Sequence, residues 1–199
     1  MFYFLVKAVS RLIFQLFFRA TVEGEENLPS EGAVILAANH MSNCDPPLLG
    51  CLMRREVCYM AKIELFQNPV FGAAIRACHA FPVKRGTADR TAIKHALELL
   101  AEGKCLGLFP EGTRSKTGEM QEAEVGIGLF AARSQAPVVP AAIIGTDKVF
   151  SPGHRFPQLK VVVGKPMFYE GNRKDKTAMA AFSQAVAAEI GRLKAAHER

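Results

Sequence analysis

The sequence predicts an α/β fold, because short apolar runs typical of buried strands alternate with segments whose periodicity favours helices. A continuous apolar run covers residues 33–38, and Pro46 and Pro47 follow it where a helix can begin. Further apolar runs recur downstream with helical segments between them. In such a fold we expect the functional residues to lie after the strands, since sites collect at the carboxyl ends of parallel strands.

Composition limits the number of domains and the kinds of partner. The chain has 199 residues, enough for one well-buried core and short for two, so we expect a single domain with appendages. Hydrophobic residues make up 49%, which suggests contact with lipid, and the formal charge of +6 suits an anionic partner. Nucleic acid is the least supported such partner, because the chain has no arginine-rich arm, zinc-finger spacing or aromatic RNA-binding motif. We therefore predict no nucleic-acid binding.

The five cysteines are odd in number and follow no CxxC spacing, which predicts reduced thiols in a cytosolic compartment. Cys44, Cys51 and Cys58 are spaced by seven residues, but they lie among apolar residues without clustered histidines. We therefore expect them to pack in the interior, and we predict no metal site.

Residues 1–22 form an apolar segment with three basic residues and no acid. On a helix, Lys7, Arg11, Gln15 and Arg19 make a narrow polar stripe beside a wide apolar face. Charges within the segment disfavour a membrane-spanning helix, whereas a helix in the plane of an anionic membrane surface satisfies both faces. A helix packed against the core is the alternative. A secretory signal is disfavoured, because a cationic leader and a cleavage site are missing.

The remaining elements follow from periodicity and from residues that begin or end helices. Residues 21–32 read as a loop that separates the first helix from the rest. Pro140 lies within an apolar run, which implies an edge strand, a bulge or a strand end. Strands are predicted over residues 33–38, 57–61, 79–83, 105–109, 138–144 and 159–163, and helices from Pro46, over 68–75, from Thr87 to Gly103, over 124–134 and over 177–197.

A histidine and an aspartate follow the first predicted strand at a spacing of five residues. His40 lies on the loop after the strand, and Asp45 takes the position of the N-cap of the next helix. A carboxylate that folds back onto one ring nitrogen fixes the tautomer and leaves the other nitrogen to take a proton. Such a pair can activate a nucleophile. An N-cap beside an exposed imidazole produces the same spacing, so this pattern alone is weak evidence for a catalytic pair.

Three further stretches make the pattern specific: FPVKR at residues 81–85, FPEGTRS at 109–115 and VVPAAI at 138–143. Together with Asn39, His40 and Asp45 they resemble, in order, the four motifs of the glycerolipid acyltransferase family, and within it the bacterial 1-acylglycerol-3-phosphate acyltransferases. The resemblance implies a mixed, largely parallel sheet flanked by helices. It also implies a membrane-associating helix over residues 1–22 and an acyltransferase domain over 30–199, with the motifs in 30–150.

The resemblance implies a role for each motif residue. His40 would be the general base and Asp45 the partner that orients it, and no cofactor or covalent acyl-enzyme would be needed. Arginine suits a phosphate because its guanidinium presents paired donors. The implied substrate-binding residues are Asn39, Lys84, Arg85, Glu111, Gly112, Thr113, Arg114, Lys116 and Pro140.

The expected reaction is transfer of a fatty acyl group from acyl-CoA or acyl carrier protein to the sn-2 hydroxyl of lysophosphatidic acid. The product would be phosphatidic acid, made in phospholipid synthesis at the cytoplasmic face of the cell membrane, where residues 1–22 would hold the enzyme. Another lysolipid or glycerol 3-phosphate could be the acceptor, and water in its place would make the protein a hydrolase. A non-catalytic lipid-binding protein is less expected, because His40 and Asp45 are both present.

Overall fold

The computed structural model describes residues 2–84, 89–110, 126–152 and 156–198. Within these ranges the strands are β1 Thr21–Glu23, β2 Val34–Ala38, β3 Val57–Lys62, β4 Ala80–Val83, β5 Cys105–Leu108, β6 Val138–Ile144 and β7 Lys160–Val163. The α-helices are α1 Phe2–Phe18, α2 Asp45–Leu52, α3 Pro69–Ala77, α4 Arg90–Ala101, α5 Gly126–Ser134 and α6 Lys176–His197. Short 3₁₀ helices cover Glu25–Asn27, Ile63–Phe66 and Thr146–Lys148.

The strands form one sheet in the order β1-β7-β6-β2-β5-β3-β4. β6, β2, β5, β3 and β4 run parallel to one another, whereas β7 is antiparallel to β6 and pairs in parallel with β1. This arrangement confirms the predicted mixed, largely parallel sheet. β2 is the central strand, so the residues that follow it emerge in the middle of the edge formed by the carboxyl ends of the parallel strands.

β2 is buried on both faces, which explains why its sequence is apolar without alternation. Val34, Leu36 and Ala38 face a core that includes residues of α1 and α2. Ile35 and Ala37 face a second core, which includes residues of α4, α5 and α6. The sheet therefore separates a layer of α1 and α2 from a layer of α4, α5 and α6.

The N-terminal region differs from the prediction. The helix ends at Phe18, and Thr21–Glu23, predicted as loop, is an edge strand that pairs with β7. The helical limit at residue 22 was therefore wrong, and the sheet begins before residue 30. β1 was missed because three residues are too few to display a period. No helix in the described part of the chain has both the length and the apolar character needed to cross a bilayer.

Two smaller differences concern helix α4 and Pro140. Asp89 caps α4 by accepting from the amides of Thr91 and Ala92, so the predicted start at Thr87, which lies outside the described residues, was too early. Pro140 lies in an interior strand, and of its three alternatives the structure shows a bulge. Two residues lie between Val138 and Ala141, whereas three lie between their partners Val163 and Met167, so the extra residue of the bulge belongs to the segment that pairs with the strand of Pro140.

Two cysteines expected in the interior are found there. Cys51 and Cys58 are buried, and burial raises the pKa of the Cys51 thiol to about 12. Burial also raises the pKa of the Cys58 thiol. Thiols with raised pKa values stay protonated near neutral pH and are poor nucleophiles, so both side chains act as small apolar groups.

Arg55 ties together the loops that enter the sheet at the amino ends of the strands. Its Nη1 donates to the carbonyl oxygens of Pro29, at 3.1 Å, and Gly32, at 2.8 Å, and its Nη2 donates to that of Gly103 at 2.8 Å. Gly32 precedes β2 and Gly103 precedes β5, so one guanidinium fixes the entry to two neighbouring strands. The neighbouring Arg54 is mostly exposed and pairs with Glu25.

We expect Arg55→Ala to lower the free energy of unfolding by about 2 kcal/mol, because three carbonyl groups lose a charged donor. The matched variant Arg54→Ala should cost less than about 1 kcal/mol, as is usual for an exposed ion pair. Urea unfolding followed by circular dichroism measures both values. Equal effects of the two substitutions would contradict the role given to Arg55.

Candidate active site

His40 and Asp45 meet at the carboxyl end of the central strand. Nδ1 of His40 lies 2.9 Å from Oδ2 of Asp45, and both side chains are buried. The geometry selects the tautomer with the proton on Nδ1, because a carboxylate oxygen can only accept. The two residues are brought together by the tight loop between β2 and α2, where the amide of Asp45 donates to the carbonyl of Ser42.

Asp45 also organises the loop that carries His40. Besides the imidazole, its Oδ2 accepts from the amides of Met41, at 2.6 Å, and Ser42, at 2.7 Å. The N-cap of α2 is Cys44 and Asp45 is the first helical residue, so the predicted cap position was wrong by one. The carboxylate does accept backbone donors, but these belong to the loop before the helix. Oδ1 of Asp45 is buried and has no hydrogen-bond partner among the described residues.

Asn39 holds the end of β2 against β6. Its Nδ2 donates to the carbonyl of Ile143 at 2.9 Å, and its Oδ1 accepts from the amide of the same residue at 2.7 Å. The side chain is 1% exposed. These two bonds make Asn39 a positioning residue for the strand end that carries His40, and its predicted contact with substrate stays a prediction.

The imidazole of His40 is the first ring in a column of three. The ring of Phe109 stacks on that of His40 with centroids 4.2 Å apart and 22° between the planes. The ring of Tyr59 lies on the far side of Phe109, at 6.4 Å and 13°. Gly107 makes room for the column, since a Cβ on this residue would collide with the ring of Tyr59. The column fixes the plane of the imidazole, while Asp45 determines that Nδ1 is the ring nitrogen that faces the carboxylate.

The hydroxyl of Tyr59 is buried and has no partner among the described residues. Burial raises the pKa of this phenol well above its usual value, so it stays neutral. The column was missed at the level of the sequence because nothing in the chain says that β5 lies between β2 and β3. Phe109, at the end of a predicted strand and the start of a motif, was the available signal.

The other predicted site residues fall into two groups. Lys84 follows edge strand β4, three strand spacings or about 14 Å from β2, so the sheet does not place its backbone beside His40. Pro140 is buried in the middle of β6, and its predicted contact with substrate stays a prediction. The predicted residues that lie outside the described part of the chain are Arg85, Glu111, Gly112, Thr113, Arg114 and Lys116.

The fold and the buried His40–Asp45 pair together define a class of protein. A model of the family described as acyltransferase matches residues 19–144, which include every described residue of the site and of its aromatic column. The match covers more than half of the chain, and the chain therefore belongs to the acyltransferase family.

Particular relatives narrow the comparison. A 1-acyl-sn-glycerol-3-phosphate acyltransferase of Bacillus subtilis is 34% identical over 178 residues, which cover 86% of each chain. A chloroplastic 1-acyl-sn-glycerol-3-phosphate acyltransferase of Brassica napus is 29% identical over 180 residues, and the chain spans only 52% of its length. The crystal structure of the 1-acyl-sn-glycerophosphate (LPA) acyltransferase PlsC from Thermotoga maritima superposes with a TM-score of 0.78 at 26% identity. That superposition covers 96% of this chain and 79% of the other.

We expect Phe109→Leu to lower kcat about tenfold or more with a smaller effect on KM, because the imidazole loses the surface that fixes its plane. Steady-state acyl transfer measures both constants. A full kcat in a folded Phe109→Leu protein would contradict the positioning role of the column.

Tyr59→Phe is the matched control, since it keeps the ring and removes only the hydroxyl. Its kcat should equal that of the wild type. Its free energy of unfolding should rise by about 1 kcal/mol, because a buried hydroxyl without a described partner costs desolvation energy.

Proposed function

We propose that this protein transfers a fatty acyl group from a thioester of coenzyme A or acyl carrier protein to the sn-2 hydroxyl of 1-acylglycerol 3-phosphate, giving phosphatidic acid. The single observation that carries the proposal is the buried 2.9 Å contact between His40 and Asp45 at the end of the central strand. This contact supplies an oriented base in a chain whose relatives include proteins named for that reaction.

The chemistry follows from the orientation of the imidazole. Nδ1 keeps its proton and donates a hydrogen bond to Asp45, so Nε2 is the atom that takes the proton of the acceptor hydroxyl. The oxygen of that hydroxyl attacks the thioester carbonyl, a carbon–oxygen bond forms and the carbon–sulfur bond breaks. The proton on His40 then passes to the departing thiolate. Asp45 stabilises the imidazolium between the two steps, because its carboxylate faces the ring.

The acceptor phosphate is assigned to Arg85 and Arg114 by the motif resemblance alone, since both residues lie outside the described ranges. A guanidinium fork matches the oxygens of a phosphate and would orient the glycerol backbone relative to His40. Lys84 and Lys116 would add charge without directional contacts. Gly112 would let backbone amides approach the anion closely.

We also propose that the protein works at a membrane surface through α1. One side of α1 packs on the core through Phe14 and Phe18, while its other side exposes large apolar residues: Phe2, Phe4, Leu5, Val9, Leu12, Ile13, Leu16 and Phe17. The apolar surface continues onto neighbouring loops, since the rings of Phe17 and Phe18 contact that of Phe156. A helix face with this many exposed large apolar side chains suits the boundary between headgroups and acyl chains.

The basic stripe of α1 is only partly available for lipid headgroups. The ammonium group of Lys7 donates to the carbonyls of Arg54 and Arg55, each at 3.2 Å, beyond the end of α2. Burial lowers the pKa of this lysine. Arg11 and Arg19 are exposed and remain as the cations that would meet an anionic surface.

We expect His40→Ala to lower acyl transfer by at least about 100-fold, since the reaction loses its base. The control is His95→Ala, which removes an imidazole on α4 outside the site and should leave the rate unchanged. Each protein is given acyl-CoA or acyl-carrier-protein thioester with lysophosphatidic acid, another lysolipid, glycerol 3-phosphate or water alone. Mass spectrometry identifies the product formed from each combination of donor and acceptor.

Substantial turnover by His40→Ala would refute the assigned base. Free fatty acid as the main product in the presence of lysophosphatidic acid would make the protein a hydrolase. Absence of product with every donor and acceptor would favour a lipid-binding protein on the same fold.

A second prediction concerns α1. Replacing Leu5, Leu12 and Leu16 by Gln should reduce sedimentation with vesicles of anionic phospholipid about tenfold or more, because the apolar contact with the bilayer is lost. Their exposed fractions of 62%, 56% and 68% mean that the fold should survive. Phe168→Gln, which replaces an apolar side chain that is 63% exposed and lies outside α1, serves as the control. Unchanged sedimentation of the triple variant would show that another surface binds lipid.

A further inference from the structure

A groove of about 890 Å³ lies between α4 and α5. Ile93, Leu97 and Leu129 give it an apolar floor, and all three pack against the core on that side of the sheet. α1 packs in the core on the opposite side. The groove therefore opens away from the apolar surface proposed to meet the membrane, toward the aqueous side.

The edges of the groove are basic. Arg90 and Lys94 stand one turn apart on α4, Arg133 lies near the end of α5 and Lys176 begins α6. All four side chains are exposed, and among the described residues Arg90, Arg133 and Lys176 have no ion pair. The single carboxylate among the lining residues, Glu98, lies 3.7 Å from Lys94. The groove thus carries a clear excess of positive charge.

The arrangement of the cations indicates an elongated partner. They come from three different helices, α4, α5 and α6, whereas a single phosphate or nucleotide is held by donors that converge on one point. Ile93 and Leu97 are four residues apart on one face of α4, so the floor forms an apolar strip beside the charges. An amphipathic helix with an acidic flank matches such a strip, since its apolar side fills the groove and its carboxylates meet the rim.

We propose that this groove docks the acidic helix of an acyl carrier protein that delivers the thioester. The inference rests on the proposed function and specifies its donor. A second copy of this chain is a poor occupant, because each chain carries a formal net charge of +6 and two such chains repel each other. A bilayer is a poor occupant as well, because the exposed apolar face of α1 lies on the other side of the sheet.

The test uses the full-length protein with Arg133→Glu and Lys176→Glu combined. The matched control reverses two exposed lysines outside the groove, Lys104→Glu and Lys165→Glu, and so makes the same change in net charge. Fluorescence anisotropy of a labelled acyl carrier protein measures binding. Steady-state kinetics with palmitoyl-acyl carrier protein and palmitoyl-CoA, each with the same lysophosphatidic acid acceptor, measure KM and kcat for each donor.

We expect the groove variant to bind the carrier protein about tenfold more weakly than the wild type does. Its KM for the carrier-protein thioester should rise by the same factor. Its kcat and KM with palmitoyl-CoA should stay within about twofold of the wild type, which also shows that the variant folds. The control variant should lose much less binding than the groove variant, since general charge attraction is screened by salt.

Three results would overturn the docking site. Wild-type protein could bind the carrier protein no more tightly than the groove variant does. The groove variant could raise KM equally for both donors, which would assign the groove to a feature that they share. The groove variant could lose sedimentation with anionic vesicles and keep carrier-protein binding, which would assign the groove to lipid. Absence of turnover with either donor in the wild type would instead refute the proposed function, and the binding measurement would still decide the docking site.

Discussion

The contact between the Asp45 carboxylate and the His40 imidazole is the interaction on which the rest of the site depends. One oxygen atom, Oδ2, accepts from the imidazole and from the amides of Met41 and Ser42. The same anion therefore shapes the loop and selects the tautomer of the ring that the loop carries. Burial strengthens these bonds, because little water competes for the carboxylate.

The sheet supplies the stiffness that this contact needs. β2 is central and buried on both faces, and Asn39 ties its end to β6 through two hydrogen bonds with Ile143. Phe109, at the end of neighbouring β5, holds the face of the imidazole. His40 is thus fixed by residues from three adjacent strands and one helix. The two faces of the sheet then separate two proposed tasks, membrane contact on the side of α1 and donor docking on the side of α4 and α5.

The sequence reveals those features that depend on local spacing. The apolar run of β2, the prolines at the start of α2 and the pairing of His40 with Asp45 are all set by neighbouring residues. Strand order cannot be read in this way, so the contact of Phe109 with His40 and the reciprocal bonds of Asn39 were not predictable. β1 was missed because it is short and depends on pairing with β7, far away in the chain. Pro140 shows the same limit, since its bulge is defined by a distant partner segment.

The tautomer of His40 tests the central claim most directly. Nitrogen-15 NMR of histidine-labelled protein, recorded at a pH where this ring is neutral, distinguishes a proton on Nδ1 from one on Nε2. The His40 signals are assigned by their loss in His40→Ala. The geometry predicts the Nδ1–H form in the wild type and a shift toward the Nε2–H form in Asp45→Ala, which removes the acceptor that faces Nδ1. A wild-type ring with its proton on Nε2, or a tautomer that Asp45→Ala leaves unchanged, would contradict the account.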